Sequence, residues 1–198
     1  MVAKGSETAE KIYKVEDYFE LEKHSEDRHE YYYGKLEIIP GESIDANRIG
    51  RNCGHFFLSH LDENVYDTFR NSIKLRVAEG KIYRYPDVML VPTASIRHSH
   101  EVKDAELIIE VTLEESYARD HKTKLEEYTG NFPTLRYYLI IDQYEPMVAV
   151  YSRKDTAAKW TYETFSDPGD EIPLDYFNLR LPLQTVYKKV GFGERKAD

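Results

Sequence analysis

One six-residue segment constrains the fold of this chain more than any other. Residues 107–112 read Leu-Ile-Ile-Glu-Val-Thr, so both alternating faces are apolar except at Glu110. A strand carries apolar side chains on both faces when both are covered, as in the middle of a sheet that lies between helices. The segment therefore predicts a central strand in a layered α/β or α+β domain.

The elements predicted around this strand alternate between helix and strand. They are a helix over 45–64, strands over 73–77, 82–91 and 107–112, a helix over 114–130, a strand over 136–142, and further strands over 147–152 and 160–165. Ser43 or Asp45 is expected to cap the first helix, and Pro86 breaks the second strand. The order α-β-β-β-α-β predicts a mixed β-sheet flanked by helices, with extra C-terminal strands.

Length and composition narrow the class of protein. The 198 residues predict a single domain over 15–190, with a frayed segment over 1–14 and a flexible tail over 191–198. Cys53 is the only cysteine, which excludes a disulfide framework and a cysteine-based zinc site. The apolar stretches are too short for a membrane span, and residues 1–10 lack the apolar core of a secretion signal. We therefore expect a cytoplasmic protein.

The charge balance bears on the partners of the chain. With 27 Lys and Arg against 36 Asp and Glu, the formal net charge is −9. A protein that binds duplex DNA tightly and without specificity usually carries a basic surface, since neutralising phosphates supplies most of its affinity. The acidic balance argues against that class of protein. It leaves room for a local basic face, or for an acidic site that binds a metal ion.

Glu110 is the anomaly of the central strand, because burying an unpaired carboxylate is costly. Asp87 interrupts a second apolar strand within residues 85–88. Two carboxylates on neighbouring strands would form an oxygen-ligand site suited to Mg²⁺. The structural alternative is that Glu110 pairs with Lys74 or Arg76 across the sheet, and that Asp87 is only a turn residue.

Lys124 is a second anomaly, since it falls on the apolar side of the helix that follows Glu110. Asp120, Lys124 and Tyr128 are spaced four residues apart and share one helix face. In the structural interpretation, Asp120 and Lys124 form an ordinary helix pair and the lysine reaches out to solvent. In the functional interpretation, the ammonium points at the two carboxylates, where it would orient a water and stabilise charge developing on a phosphate.

Several segments together resemble one protein family. They are Tyr85-Pro86-Asp87-Val88, Ile108-Ile109-Glu110-Val111, Asp120-xxx-Lys124-xxx-Tyr128 and the run from Pro133 to Ile140. In this order and spacing they resemble the Uma2 family of restriction-endonuclease-like proteins, within the PD-(D/E)XK nuclease superfamily. Further similar segments at 30–36, 150–151 and 181–187 extend the resemblance over about residues 15–190.

The resemblance implies a fold and a set of functional residues. The fold is a restriction-endonuclease-like core, which has the element order already predicted. A Mg²⁺ or Mn²⁺ ion would be held by Asp87, Glu110 and the main-chain carbonyl of Val111. Thr112 stands where the superfamily usually has a lysine, and Lys124 would take over that role. The implied catalytic residues are Asp87, Glu110 and Lys124, supported by Asp120 and Glu30.

The chain departs from the family pattern at two places. Ala46-Asn47 stands where Uma2-like chains usually carry a histidine, at the start of the long helix. After the acidic strand, Leu113-Glu114-Glu115-Ser116 replaces the familiar Leu-Ser-Pro. The two added carboxylates would repel a substrate phosphate.

The sequence thus predicts a metal-dependent endonuclease that hydrolyses phosphodiester bonds of DNA. A homodimer or higher homo-oligomer is expected, because nucleases that cut both strands commonly pair. The alternative, favoured by the net charge of −9, is a catalytically inactive interaction or assembly module that keeps the nuclease fold. A basic rim around the Asp87–Glu110 cleft would favour the enzyme, and its candidate residues are Lys74, Arg76, Lys81 and Arg84.

Overall fold

The computed structural model of the chain describes residues 11–97, 100–112 and 119–192. Most of the segment predicted to fray, most of the predicted tail and the acidic pair at 114–115 lie outside these residues. No helix within the described ranges combines the length and the apolar character that crossing a membrane requires.

The described residues contain helices near both ends of the chain and strands throughout. The α-helices are α1 (Val15–His24), α2 (Ile44–His60), α3 (Leu125–Asn131) and α4 (Leu183–Val186), and a π-helical segment (Arg119–Lys124) leads directly into α3. The strands are β1 (His29–Tyr32), β2 (Lys35–Ile38), β3 (Tyr66–Phe69), β4 (Lys74–Val77), β5 (Ile82–Arg84), β6 (Val88–Pro92), β7 (Glu101–Val102), β8 (Leu107–Thr112), β9 (Tyr137–Asp142), β10 (Val148–Ser152), β11 (Thr161–Phe165), β12 (Glu171–Leu174) and β13 (Leu179–Pro182).

A six-stranded mixed sheet contains the predicted central strand. Its strand order is β11-β10-β9-β8-β6-β3, so β8 lies inside the sheet. Strand β8 runs parallel to β9, with Leu107 opposite Tyr137, and antiparallel to β6, with Ile109 opposite Val88. All six residues of β8 are buried. The sequence-based prediction of a strand covered on both faces is therefore confirmed.

The two faces of β8 pack against different helices. Ile109 and its same-face neighbours join one apolar core with Ile49 and Phe57 of α2. Ile108, on the other face, joins a second core with Tyr128 of α3. Helix α2 begins where expected, because the Ser43 side chain accepts a hydrogen bond from the Ala46 N–H and caps the first turn.

A second sheet was not expected from the sequence. Its order is β2-β1-β5-β4-β7, and β5 and β6 belong to different sheets although residues 82–91 were predicted as one interrupted strand. Pro86 lies between them, and proline has no N–H to continue a strand ladder. The chain therefore leaves one sheet at Arg84 and enters the other at Val88. Asp87 lies at this crossing, immediately before β6.

Four strands, β3, β7, β12 and β13, escaped prediction, and all of them lie at a sheet edge or in a separate hairpin. Strand β3 (Tyr-Asp-Thr-Phe) forms an edge of the mixed sheet and is half-buried throughout. Strand β12 contains Pro173 and pairs only with β13 in a separate two-stranded hairpin. Such edge and hairpin strands bury one face or less, so hydrophobic periodicity marks them weakly.

The burial of β8 predicts a large cost for truncating it. Ile109→Ala removes a fully buried side chain and leaves a cavity against α2, so we expect it to lower the free energy of unfolding by about 2–5 kcal/mol. The matched control is Ile38→Ala, because Ile38 is 63% exposed. Urea denaturation measures both. Equal effects of the two substitutions would contradict the central placement of β8.

Candidate active site

Asp87 and Glu110 come together where β6 and β8 lie side by side. The last paired residues are Val88 and Ile109, so Asp87 and Glu110 are the next positions on the two strands. One carboxylate oxygen of half-buried Asp87 accepts a hydrogen bond of 2.6 Å from the Val111 N–H. The N–H and C=O of a strand residue face the same side. The Val111 carbonyl is therefore expected to face the same gap as Asp87.

Lys124 lies against Glu110, at the junction between the π-helical segment and α3. Its ammonium nitrogen is 2.9 Å from a Glu110 oxygen, 3.3 Å from Asp120 and 3.6 Å from Glu30. The lysine is 6% exposed, so it does not reach out to solvent as the structural interpretation of the sequence had it. The structure thus brings Glu110, Asp120 and Glu30 together around one cation.

Glu30 extends this cluster to a second buried cation, Arg84. The guanidinium donates to Glu30 at 2.7 Å and makes two hydrogen bonds, of 2.7 and 2.9 Å, to the two oxygens of Glu127. Arg84 is 2% exposed and Glu127 is 8% exposed. The chain of ion pairs Glu127–Arg84–Glu30–Lys124–Glu110 links β5, β1, α3 and β8, and so fixes the position of the lysine.

Two tyrosines complete the polar contacts of the cluster. The Tyr128 hydroxyl donates to Glu110 at 2.7 Å, and the Tyr138 hydroxyl donates to the main-chain oxygen of Asp120 at 3.0 Å. Their rings meet edge to face with centroids 5.3 Å apart. Both oxygens of Glu110 therefore have a donor, one from Tyr128 and one from Lys124. The side chain of Glu110 is held in one orientation by these contacts.

The protonation of the acids reflects burial and crowding. Burial raises the pKa of Asp87 to about 7, although the Val111 N–H and Lys124 act in the opposite direction. Burial also raises the pKa of Glu110, with Lys124 opposing and Asp120 and Asp87 adding repulsion. Burial alone would lower the pKa of Lys124, but Glu110 and its acidic neighbours hold that pKa above its usual value. Lys124 is therefore a permanent cation at neutral pH.

A cavity of about 230 Å³ opens onto this cluster. Ala46, at the start of α2, also lines it, so the family-pattern histidine position faces the cavity. Among its basic residues, Arg119 is paired with Glu37 and Lys124 with the acids described above. The charged lining residues are Glu30, Glu37, Glu42, Asp87, Glu110, Asp120, Arg28, Arg119 and Lys124.

The donor set of the cavity can be compared with what a metal ion needs. Across the described residues, no three Asp, Glu, His or Cys side chains converge closely enough to hold a metal ion by themselves. Asp87, Glu110 and the Val111 carbonyl offer hard oxygen ligands, and Mg²⁺ usually keeps several waters beside one or two carboxylates. The donors fit Mg²⁺ or Mn²⁺ and do not fit a metal that prefers nitrogen or sulfur ligands.

The structural alternative, in which Glu110 pairs with Lys74 or Arg76, is wrong, because both cations pair with other acids. Lys74 pairs with Glu22 at 3.6 Å, and Arg76 with Glu101 at 3.5 Å. None of the four residues considered for a basic rim lines the cavity, and Arg84 is buried behind it. Thr112, in the place of the superfamily lysine, donates instead to the main-chain oxygen of Ile141 at 3.3 Å.

Glu127 was missed as a member of the site, and Arg84 was considered only for a basic rim, not for the buried cluster. Arg84 shares a face of β5 with Ile82, and a charged residue inside an otherwise apolar strand is the signal that could have identified it. Glu127 lies three residues after Lys124 on the same helical stretch. Their pairing joins elements far apart in sequence, so spacing alone gives no indication of it.

Comparison with known proteins identifies the family. The model of the family described as "Uma2: Putative restriction endonuclease" matches residues 15–184. The chain belongs to the Uma2 family. The resemblance noted from the sequence is thereby confirmed over most of the chain.

Two relatives and one solved structure extend this comparison. The chain is 28% identical over 172 residues to the uncharacterized protein sll1609 of Synechocystis sp., covering 85% of this chain and 96% of the relative. It is 23% identical over 178 residues to slr1290 of the same organism, covering 89% and 92%. The crystal structure of a putative nuclease belonging to DUF820 from Anabaena variabilis matches with a TM-score of 0.71 at 18% identity, covering 87% of this chain and 96% of that one. The likeness confirms the predicted nuclease-type fold.

The buried ion pairs predict a marked loss of stability when Arg84 is removed. Arg84→Met leaves Glu30 and Glu127 as buried carboxylates with one cation fewer, so we expect a loss of about 3–5 kcal/mol in the free energy of unfolding. Arg180→Met is the matched control, since Arg180 pairs with Asp175 at the surface and such pairs contribute about 0–1 kcal/mol. Urea denaturation of both variants measures the difference, and a small effect for Arg84→Met would contradict the role given to this network.

Proposed function

We propose that this Uma2 protein is a metal-dependent endonuclease that hydrolyses phosphodiester bonds of DNA. The observation that carries the proposal is the charge imbalance of the buried cluster. Five carboxyl groups surround two basic side chains there. For Glu110 and Asp87, burial outweighs the favourable contacts and raises the pKa. A divalent cation beside them would restore balance, since it favours the ionised carboxylates.

The roles of the residues follow from their places in the cluster. Asp87, Glu110 and the Val111 carbonyl would hold Mg²⁺ or Mn²⁺. When bound, the ion would polarise a phosphate oxygen and lower the pKa of a coordinated water. Glu110 would present one oxygen to the cavity while Tyr128 and Lys124 fix its orientation.

Lys124 would act as a fixed positive charge rather than as a base. Because its pKa is raised, its ammonium keeps the proton and can donate to the attacking water or to a phosphate oxygen. Asp120 and Glu30 would hold the ammonium in place from its other sides. Such a preorganised donor stabilises the charge that develops on the phosphate in the transition state.

The metal proposal predicts that Asp87→Asn abolishes binding of Mn²⁺ while the protein stays folded. The amide is similar in size to the carboxylate and can still accept the Val111 N–H, but it carries no charge. In the unchanged protein, saturating Mn²⁺ should raise the melting temperature, because it binds only the folded state. The variant should melt at the same temperature with and without Mn²⁺. A Mn²⁺-dependent shift that survives the substitution would contradict the assignment of Asp87.

The role of Lys124 predicts a loss of turnover on the order of 10² or more for Lys124→Ala, the scale for removing one preorganised donor. Lys122→Ala is the control, since Lys122 is exposed and two positions earlier in the same helical segment. Initial rates of cleavage on plasmid and single-stranded DNA, with Mn²⁺ and at low salt, compare the variants. Equal rates for the two variants would contradict a role of Lys124 in the chemistry.

A non-catalytic interaction module remains the second candidate, and the acidic cavity favours it. Six acidic side chains line the cavity against three basic ones, which is unfavourable for a polyanion unless a cation is bound. The same cleavage assay separates the two functions. Cleavage that is lost in Asp87→Asn supports the enzyme, and Mn²⁺ binding without cleavage of any DNA form supports the module.

For cleavage of both strands we propose a homodimer, because one site of this kind faces one strand at a time. Sedimentation velocity of the purified chain, with and without a DNA duplex, tests this arrangement. A second copy should be detected at least on the duplex if both strands are cut together.

A further inference from the structure

Arg70, like Arg28 in the cavity wall, is an arginine with no acidic partner among the described residues. It follows β3 and precedes Asn71, which lines the cavity. Its Nη2 donates only to the main-chain oxygen of Asn47, at 3.5 Å, and its buried Nε has no hydrogen-bond partner. Arg84 and Arg119, by contrast, are each paired with glutamate.

Two glycines of α2 make the space in which Arg70 lies. A Cβ added at Gly54 would come within 2.8 Å of the Arg70 Cδ and 3.6 Å of its Nε. A Cβ added at Gly50 would lie 3.7 Å from its Nη2 and 4.0 Å from the main-chain oxygen of Asp87. The side chain therefore runs along α2 from Gly54 past Gly50 to Asn47.

This direction brings the guanidinium towards the cavity. Asn47 lies in the first turn of α2, next to Ala46 in the cavity wall. The main-chain oxygen of Asp87 lies near the same side of Gly50, 4.0 Å from the position that a Cβ would take there. Glycine is unfavourable inside a helix, so two of them one turn apart call for an explanation. Because glycine has no Cβ, the pair allows a close approach of the Arg70 side chain that other residues would block. Close to the main chain of Asp87, helix α2 thus holds a guanidinium that has no acidic partner among the described residues.

We propose that Arg70 is a binding residue for a phosphate of the nucleic-acid backbone next to the cleavage position. The inference rests on the proposed nuclease function and adds a substrate contact to it. Arginine suits this contact because its planar guanidinium presents paired donors to phosphate oxygens. It also supplies positive charge on the side of Asp87 that faces α2, in a chain whose net charge is −9.

The test measures binding rather than cleavage. A short fluorescent DNA duplex is titrated with the full chain and followed by anisotropy, with Ca²⁺ as the divalent cation and at several salt concentrations. Arg70→Gln should weaken binding roughly tenfold or more at low salt, the effect of losing a charge-assisted hydrogen bond. The slope of log affinity against log salt should fall in magnitude by about 0.9, the change for one lost phosphate contact. Lys159→Gln, with the same charge loss in the exposed β10–β11 turn, is the control.

A second variant keeps the charge and moves it. In Gly54→Ala the new methyl group would displace the Arg70 side chain, whereas alanine is favourable in the helix and should preserve the fold. We expect Gly54→Ala to weaken binding as Arg70→Gln does, and the double variant to be no weaker than either. Thermal melting checks that each variant is folded.

The outcomes separate this inference from the proposed function. If the unchanged chain binds the duplex but Arg70→Gln is no weaker than Lys159→Gln, the Arg70 site is wrong and the proposed function stands. If Gly54→Ala binds normally while folded, the glycine-lined approach does not position the guanidinium and the site is also wrong. If the unchanged chain binds no DNA at all, the proposed function fails and this inference fails with it.

Discussion

The contact between Lys124 and Glu110 is the interaction on which the rest of the site depends. A carboxylate in the middle of a central strand is expensive to bury, and the 2.9 Å ion pair with Lys124 is its main compensation. The Lys124 ammonium also forms ion pairs with Glu30 and Asp120, and Glu30 forms a further ion pair with Arg84. Ion pairs thus join strands from both sheets to the helix that carries Lys124.

The same contacts leave the cluster short of positive charge. Arg84 pairs with Glu127 and with one oxygen of Glu30, and Lys124 is shared among Glu110, Asp120 and the other oxygen of Glu30. Among the described residues, Asp87 accepts a hydrogen bond from the Val111 N–H alone, and burial raises its pKa. An ion-pair network with a purely structural role is not expected to contain more acids than bases next to an open cavity, because each extra buried acid is costly. A surplus of acids is expected in a site that binds a cation.

Much of the fold was predictable because its centre is strongly patterned. The apolar run in β8, the amphipathic α2 and the spacing of Asp120 and Lys124 are local signals, and the structure agrees with each. The division into two sheets was not predicted, since Pro86 marked a break without indicating where the chain goes next. Strand β3 was missed because a half-buried edge strand has little periodicity.

The residues of the candidate site likewise fall into two groups: those that local sequence patterns indicated, and those that depend on contacts between distant segments. The sequence indicated Asp87, Glu110 and Lys124 through charged residues in apolar surroundings and through the family resemblance. The Arg84–Glu127 pair and the position of Arg70 depend on contacts between elements 43 and 23 residues apart, respectively. Neither the periodicity nor the composition of one segment contains that information.

We propose that burial leaves Asp87 partly protonated near neutral pH until a divalent cation displaces the proton. Calorimetric titration with Mn²⁺ near pH 6.5, repeated in buffers with different heats of ionisation, measures the protons released on binding. The chosen pH lies below the pKa of about 7 that burial gives Asp87. We predict binding that releases about one proton or more per ion and that tightens as the pH rises towards about 8. Binding without proton release, or no binding at any pH in that range, would contradict the account.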